Sequence, residues 1–157
     1  MKLSRSTDLN HSTGDGGLLI DIQWGDAERG EEPKVSISEF SNNVSYFESD
    51  GEKLIVVCHG FPVGVLDGKT ETMLSASEIY ELWKADASNW WKGVTGSFAI
   101  CLVDQGRDEI MAVSGKSRVR NWFHKGDQHS TVLTTHLKNL QETKIDNDVL
   151  PSLLHYG

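Results

Sequence analysis

The stretch that decides the fold is Gly93-Val94-Thr95-Gly96-Ser97-Phe98-Ala99-Ile100-Cys101-Leu102-Val103-Asp104. Its second half is an uninterrupted apolar run, which is typical of a strand covered on both faces. A polar turn at residues 104–108 follows, and Ile110-Met111-Ala112-Val113 then resumes the apolar pattern. The pattern predicts two buried strands joined by a tight turn, which form the core hairpin of a sheet.

Two segments upstream predict further strands of the same core. Residues 54–58, Leu-Ile-Val-Val-Cys, are continuously apolar after Asp50-Gly51, so we expect a central strand covered on both faces. Residues 18–24 instead alternate, with Ile20, Ile22 and Trp24 on one face, as in a half-buried strand.

Between these two segments the alternation continues in two short pieces. Val35 and Ile37 belong to the first piece, and Val44 and Tyr46 belong to the second. The turn-forming residues 41–43, Ser-Asn-Asn, separate them. This spacing predicts a hairpin.

A helix is predicted over residues 76–86. Ser75 and Glu78 have the spacing of a capping box, in which the serine accepts from the backbone and the glutamate reaches back. The helix face that should pack on the sheet comprises Ile79, Leu82 and Trp83. Further strand material is expected at 121–124 and 131–134, with a short helix at 136–141 and a final helix at 147–155. These elements together predict an antiparallel α+β sandwich whose sheet layers are covered by helices.

Composition indicates one domain and narrows the classes of partner. The chain has 157 residues, of which 38% are hydrophobic, and a formal net charge of −8. We expect a flexible polar arm at 1–16 and one globular domain at 17–157. The acidic charge disfavours binding to nucleic acid and to anionic membranes. No apolar run reaches the roughly 20 residues of a spanning helix, so a cytoplasmic protein is expected. Cys58 and Cys101 lie in apolar runs, where buried free thiols are expected.

Several segments resemble the N-terminal glutaminase domain of the asparagine synthetase family, a group of class II glutamine amidotransferases. The segment 93–104 resembles the family's Leu-Asn-Gly-x-Phe-Ala-Phe-Ala-like strand, and the segment 110–124 is similar to the strand and turn that follow it. Other matching segments are 57–60 for a strand ending in Asn-Gly, 75–78 for Ser-Asp-Thr-Glu, 133–140 for Phe-Ala-Ser-Glu-x-Lys-x-Leu, and 145–157 for the closing helix. The resemblance covers residues 54–157 and implies a four-layer αββα sandwich of the N-terminal nucleophile (Ntn) hydrolase type.

The resemblance also implies a nucleophile that this sequence does not carry. In the family, a cysteine exposed by removal of the initiator attacks the amide, and its own α-amino group takes the thiol proton. Position 2 is Lys2 here, and Cys58 and Cys101 lie within apolar strands, where burial should suppress the thiolate. We therefore expect no catalytic residue and no cofactor.

Four residues are expected to line a vestigial substrate pocket: His59, Gly60, Ala76 and Glu78. His59 replaces the family's Asn beside the oxyanion-stabilising glycine, and Gly60 keeps that glycine. Ala76 replaces the aspartate that holds the α-amino group of glutamine. Losing that charge-assisted contact costs roughly 1.5–3 kcal/mol of binding free energy.

The function implied by the resemblance is that of a noncatalytic scaffold. Its partner would be an ATP-dependent amide-forming synthetase, on the same chain or on another, as in the β-lactam and carbapenam synthetases and lasso-peptide cyclases, and homo-oligomers are a second expected association. Two alternatives stay open. Internal cleavage could expose Ser12 or Thr13 as the nucleophile of an active amidohydrolase, or the pocket could serve a small-ligand sensor.

Other residues admit two interpretations each. His59 is either a proton-transfer group or a polar residue that terminates a strand. The cluster of Lys116, Arg118 and Arg120 is either a solvated turn or a contact for an anion or a partner. Trp90-Trp91 either caps the core or forms a partner-facing patch. His124 and His129 lack further ligands at suitable spacing, so no metal site is expected.

Overall fold

The computed structural model describes residues 4–6, 17–25, 33–39, 43–49, 51–65, 70–117, 120–127 and 129–140. These ranges contain ten strands, one α-helix and two 3₁₀ helices. The strands are β1 Ser4–Ser6, β2 Leu18–Gln23, β3 Lys34–Glu39, β4 Val44–Ser49, β5 Leu54–Val65, β6 Glu71–Met73, β7 Thr95–Asp104, β8 Glu109–Ser114, β9 Phe123–Gly126 and β10 Ser130–Thr134. The helix α1 spans Ala76–Ala85, and the 3₁₀ helices span Trp90–Gly93 and Leu137–Leu140.

The strands form two sheets, and all pairs but one are antiparallel. Sheet A has the order β1-β3-β2-β10-β9, and β1 alone pairs in parallel, with β3. Sheet B has the order β4-β5-β7-β8, and β6 pairs with the far end of β5. The chain is thus a mixed α+β protein with two largely antiparallel sheets.

The two sheets enclose one of the two hydrophobic cores. This between-sheet core joins the inward residues of sheet A to Ile55, Val57, Cys101 and Val103 of sheet B. Sheet A contributes Leu18, Ile20, Ile22, Val35, Ile37 and Leu133. The alternating residues of β2 therefore face sheet B, as the sequence pattern predicts.

The second core lies on the opposite face of sheet B. This helix-side core unites Leu54, Val56 and Cys58 of β5 with Ile79 and Tyr80 of α1. Because successive β5 residues enter different cores, the strand needs an unbroken apolar run, and the predicted central strand at 54–58 is confirmed. The predicted capping box is also present, since Ser75 accepts from the backbone of Glu78 and the Glu78 carboxylate accepts from the backbone of Ser75.

The predicted core hairpin exists, but only one of its strands is buried. β7 pairs with β8 from Asp104↔Glu109 to Ala99↔Ser114. β7 lies between two strands and inside both cores, whereas β8 is the outermost strand of sheet B. Its side chains are therefore exposed or half-buried, and the prediction of a second buried strand is wrong.

The predicted hairpin across residues 41–43 is also wrong. β3 pairs with β2 in sheet A, whereas β4 pairs with β5 in sheet B. The chain crosses from one sheet to the other between these strands. Val35 and Ile37 pack inside the between-sheet core, as does the half-buried Val44, so an alternating pattern arises without any pairing of the two segments.

Several expectations concern residues outside the described ranges. They are the final helix at 147–155, Arg118, Ser12 and Thr13, and residues 1–3 and 7–16 of the arm. The predicted short helix at 136–141 corresponds to the 3₁₀ helix Leu137–Leu140. None of the described helices combines the length and the apolar character needed to cross a lipid bilayer.

Candidate functional site

His59 lies at the end of the between-sheet core and is only 1% exposed. It follows Ile55 and Val57 on the face of β5 that looks toward sheet A. The strand does not stop there, since β5 pairs with β7 as far as Val63↔Thr95. The interpretation of His59 as a strand terminator is therefore wrong, because the ladder to β7 carries the strand past this polar residue.

Both nitrogens of the His59 ring are engaged by side chains distant in sequence. Nε2 lies 2.7 Å from Nη1 of Arg120, and Nδ1 lies 2.9 Å from Oγ1 of Thr135. Thr135 is tied to the start of β2, because its Oγ1 accepts from the backbone N–H of Leu18 at 2.9 Å. The backbone N–H of Thr135 donates to the carbonyl of Leu18 at the same distance. The cluster therefore joins the middle of β5 to both β2 and the end of β10.

The chemistry of the partners fixes the protonation state of His59. A guanidinium can only donate, so Nε2 must be the accepting nitrogen and Nδ1 must carry the proton that is donated to Thr135. Burial, together with the charge of Arg120, lowers the pKa of His59 to about 4. The ring is therefore neutral at neutral pH, with no free lone pair for a substrate proton, which argues against the proton-transfer role.

Gly60 leaves the space that the Arg120 side chain occupies. Gly60 has a φ of +107°, and a Cβ at this position would lie 2.7 Å from Nε of Arg120 and 2.3 Å from the carbonyl oxygen of Ser97. Only glycine combines this backbone conformation with such close approach. The glycine that the resemblance assigns to oxyanion stabilisation thus lies directly beneath a guanidinium.

Arg120 does not belong to a solvated turn. Its side chain is half-buried, and its Nε is buried without a hydrogen-bond partner among the described residues. Lys116, by contrast, is exposed and fits the solvated-turn interpretation. The cluster predicted from the sequence therefore divides, with Arg120 directed into the protein and Lys116 directed into solvent.

The structure brings together two of the four residues predicted to line a pocket. Gly60 and Glu78 both line a surface depression of about 280 Å³. The other lining residues are Asn43, Val44, Ser45, Phe61, Met73, Leu74 and Ser75. His59 faces the between-sheet core instead, and Ala76 packs in the helix-side core. Glu78 is already committed to the helix cap, and its hydrogen bonds to Ser75 lower its pKa.

Both cysteines are free and buried, as predicted. Burial raises the pKa of Cys58 to about 12 and that of Cys101 to about 12. A thiol that stays protonated at neutral pH is a poor nucleophile. Within the described ranges, no three His, Cys, Asp or Glu side chains converge as metal ligands would.

The Trp90-Trp91 pair caps the helix-side core. Trp90 is 5% exposed and belongs to that core, and the half-buried Trp91 packs against it. A larger depression of about 480 Å³ lies elsewhere, between Trp83 of α1 and Met111 of β8. None of the residues predicted for a pocket lines it.

Sequence reasoning missed Thr135 as a member of the site. It lies 76 residues from His59 and 117 residues from Leu18. No local pattern distinguishes it from neighbouring Thr134, and only the pairing of β10 with β2 brings it to His59. Comparison with family models, with curated proteins and with solved structures finds no match for this chain.

Proposed function

We propose that this chain is a noncatalytic, glutaminase-like domain that acts as a scaffold for an ATP-dependent amide-forming enzyme of the asparagine synthetase type. The observation that carries the proposal is the Arg120–His59 contact at 2.7 Å, made directly beside Gly60. The resemblance assigns glutamine and its oxyanion to this place. A half-buried arginine side chain and a histidine ring with both nitrogens engaged lie there instead.

The cysteines support the same proposal. Cys58 and Cys101 are strand residues whose thiol pKa values are raised to about 12 by burial. Cys101 is fully enclosed within the between-sheet core. Neither thiol can approach an amide substrate without unfolding of the sheet.

The layering of the sheets is consistent with the proposed family. Sheet A, sheet B and α1 form three successive layers, joined by the between-sheet and helix-side cores. We propose that these layers belong to a four-layer αββα sandwich of the Ntn hydrolase type. The start of β2 lies beside His59, because Leu18 donates to Thr135 and Thr135 contacts the His59 ring.

Two measurements on the full chain test the catalytic part of the proposal. We expect the intact mass to equal that of the complete sequence, with or without the initiator methionine, and no ammonia release from glutamine above the buffer rate. The Arg120→Ala variant should be equally inactive, since removing the guanidinium supplies no nucleophile. An N-terminus beginning at Ser12 or Thr13, or any turnover, would establish the amidohydrolase alternative.

The scaffold role needs its own test. Affinity capture of the full chain from its native cells, with ATP present, should enrich an enzyme that forms amides through an adenylate. The captured pair should co-elute on size exclusion after both proteins are purified separately and mixed. Recovery of the chain without such an enzyme would contradict the scaffold role, even if glutaminase activity is absent.

The depression at Gly60 and Glu78 favours a second candidate, a small-ligand sensor. Its volume of about 280 Å³ accommodates a molecule of amino-acid size. A ligand that binds there would raise the melting temperature of the protein. Thermal shift with free amino acids and their amides tests this candidate, and the Phe61→Ala variant should abolish any shift because Phe61 lines the depression.

A further inference from the structure

β8 presents an open strand edge along the side of sheet B. It is the last strand in the order β4-β5-β7-β8, and no described strand pairs with its outer side. The backbone N–H of Gly115 donates to the carbonyl of its cross-strand neighbour Phe98. Because hydrogen-bonded residues alternate along an antiparallel pair, the odd-numbered residues of β8 bond to β7. The backbone groups of Ile110, Ala112 and Ser114 therefore point outward.

Strand β8 differs from most of the other outer strands in where its charge lies. Arg5 in β1, Lys125 in β9 and Glu48 in β4 are charged residues inside their strands. The span of β8 holds a charge only at its first residue, Glu109, and continues as Ile-Met-Ala-Val-Ser. An edge strand without a charged residue in its interior is a template for pairing with another strand.

We propose that the occupant of this edge is a second copy of the same chain, paired antiparallel through β8 about a two-fold axis beside Ala112. In this register Ala112 faces its own copy, Ile110 faces Ser114, and Met111 faces Val113. The inference is independent of the proposed scaffold function.

The side chains fit this register on both faces of the strand. Met111 and Val113 pair with Leu102 and Ile100 of the helix-side core, so both point to that face of sheet B. Met111 is 37% exposed and Val113 is half-buried. In the dimer, Met111 of each copy therefore contacts Val113 of the other copy, and both side chains are apolar. On the opposite face of the sheet, the methyl group of Ala112 meets only the same methyl group of the second copy. Cross-strand apolar pairs of this kind stabilise antiparallel sheets.

Charges at the strand ends are also complementary. The same register sets Glu109 opposite Gly115 of the second copy, and this brings the turn that carries Asp108 close to the turn that carries Lys116. An exposed acidic end thus meets an exposed basic end at both ends of the paired strands. No two carboxylates oppose each other, although each chain carries a net charge of −8. Because that net charge repels at long range, salt should strengthen the association.

Sedimentation velocity on the full chain tests the association itself. We expect a monomer–dimer equilibrium that shifts toward dimer as concentration and ionic strength rise. Ala112→Pro removes an outward N–H that β7 does not use, so the monomer should keep its fold while dimer affinity falls at least about tenfold. The matched control Ala112→Thr keeps the N–H and should dimerise. A chain that stays monomeric throughout, or a dimer unaffected by Ala112→Pro, overturns the proposal.

A disulfide scan tests the register. In a hydrogen-bonded antiparallel pair the facing Cα atoms lie about 5.5 Å apart, within disulfide range. Ala112→Cys should therefore crosslink to its own copy under mild oxidation. Ser114→Cys, on the same face, lies roughly 14 Å from its copy in this register and should not crosslink. Crosslinking of Ser114→Cys alone would overturn the register, and the buried Cys58 and Cys101 do not interfere.

Discussion

The guanidinium Nη1 of Arg120 lies 2.7 Å from Nε2 of His59, although 61 residues separate them in the sequence. Through this contact the polar ring of His59, on a central strand, has a hydrogen-bond partner for its Nε2. It also places a cation beside Gly60.

Replacing Arg120 by Met should destabilise the protein by about 1–3 kcal/mol, because Nε2 of the buried His59 loses its donor. The double variant Arg120→Met, His59→Leu should recover part of that free energy of unfolding, since no buried nitrogen is then left unpaired. Urea titration measures both. Lys116→Met, at an exposed position, is the control and should change stability by less than about 0.5 kcal/mol. If the effects of Arg120→Met and His59→Leu, each measured alone, simply add in the double variant, the contact is contradicted.

Acidification should weaken the fold through His59. The unfolded chain binds a proton on this residue below about pH 6.5, whereas the folded pKa is lowered to about 4 by burial and by Arg120. The unfolded state therefore holds more protons within this window, so the contribution is fully present above pH 6.5 and is lost as pH falls toward 4. The loss should reach roughly 2–3 kcal/mol.

Acid also protonates carboxylates, so His59→Gln serves as the reference for this pH dependence. Urea titrations of both proteins at several pH values should show the wild type losing more stability between pH 6.5 and pH 4. Parallel curves would mean that His59 is not held neutral.

Gly60→Ala should cost about 2–4 kcal/mol, because the new Cβ meets the Ser97 carbonyl at 2.3 Å and the backbone has a φ of +107°. Gly51→Ala is the matched control, since a Cβ there meets nothing within 4 Å. It should be close to neutral in the same urea titration. Equal effects of the two substitutions would contradict the close packing at Gly60.

Cys58 and Cys101 should resist thiol reagents in the native protein and react fully after unfolding. Burial raises the pKa of each thiol to about 12, so the reactive thiolate is scarce at pH 8. Absorbance with a disulfide reagent, with and without guanidinium, measures both states. Rapid native reaction of either cysteine would contradict its exclusion as a nucleophile.

Local patterns predicted the elements whose signals are local. The run at residues 54–58 indicated a strand between two apolar layers, and β5 contributes to both hydrophobic cores. The spacing of Ser75 and Glu78 indicated the capping box that starts α1. In each case the physical cause lies within a few residues of the pattern, so the sequence alone contains it.

Patterns were insufficient where tertiary pairing decides. Alternation at Val35, Ile37, Val44 and Tyr46 is the same whether the two segments pair or belong to different sheets. Burial of β8 depends on which strand lies outermost, which an apolar run does not specify. The site around His59 combines residues from three distant segments, so its charge and hydrogen bonds follow only from the assembled sheets.

The position of β2 between β3 and β10 bears on how the chain matures during synthesis. β3 begins at Lys34, soon after β2 ends at Gln23, whereas β10 begins only at Ser130. Closing so long a loop is slow because its entropy cost must be met first. During synthesis, the edge of β2 that includes Ile20 and Ile22 therefore lacks its neighbouring strand until Ser130–Thr134 has been made. A chaperone that binds the nascent chain before β10 is made would meet a nearly complete sheet B beside an unfinished sheet A.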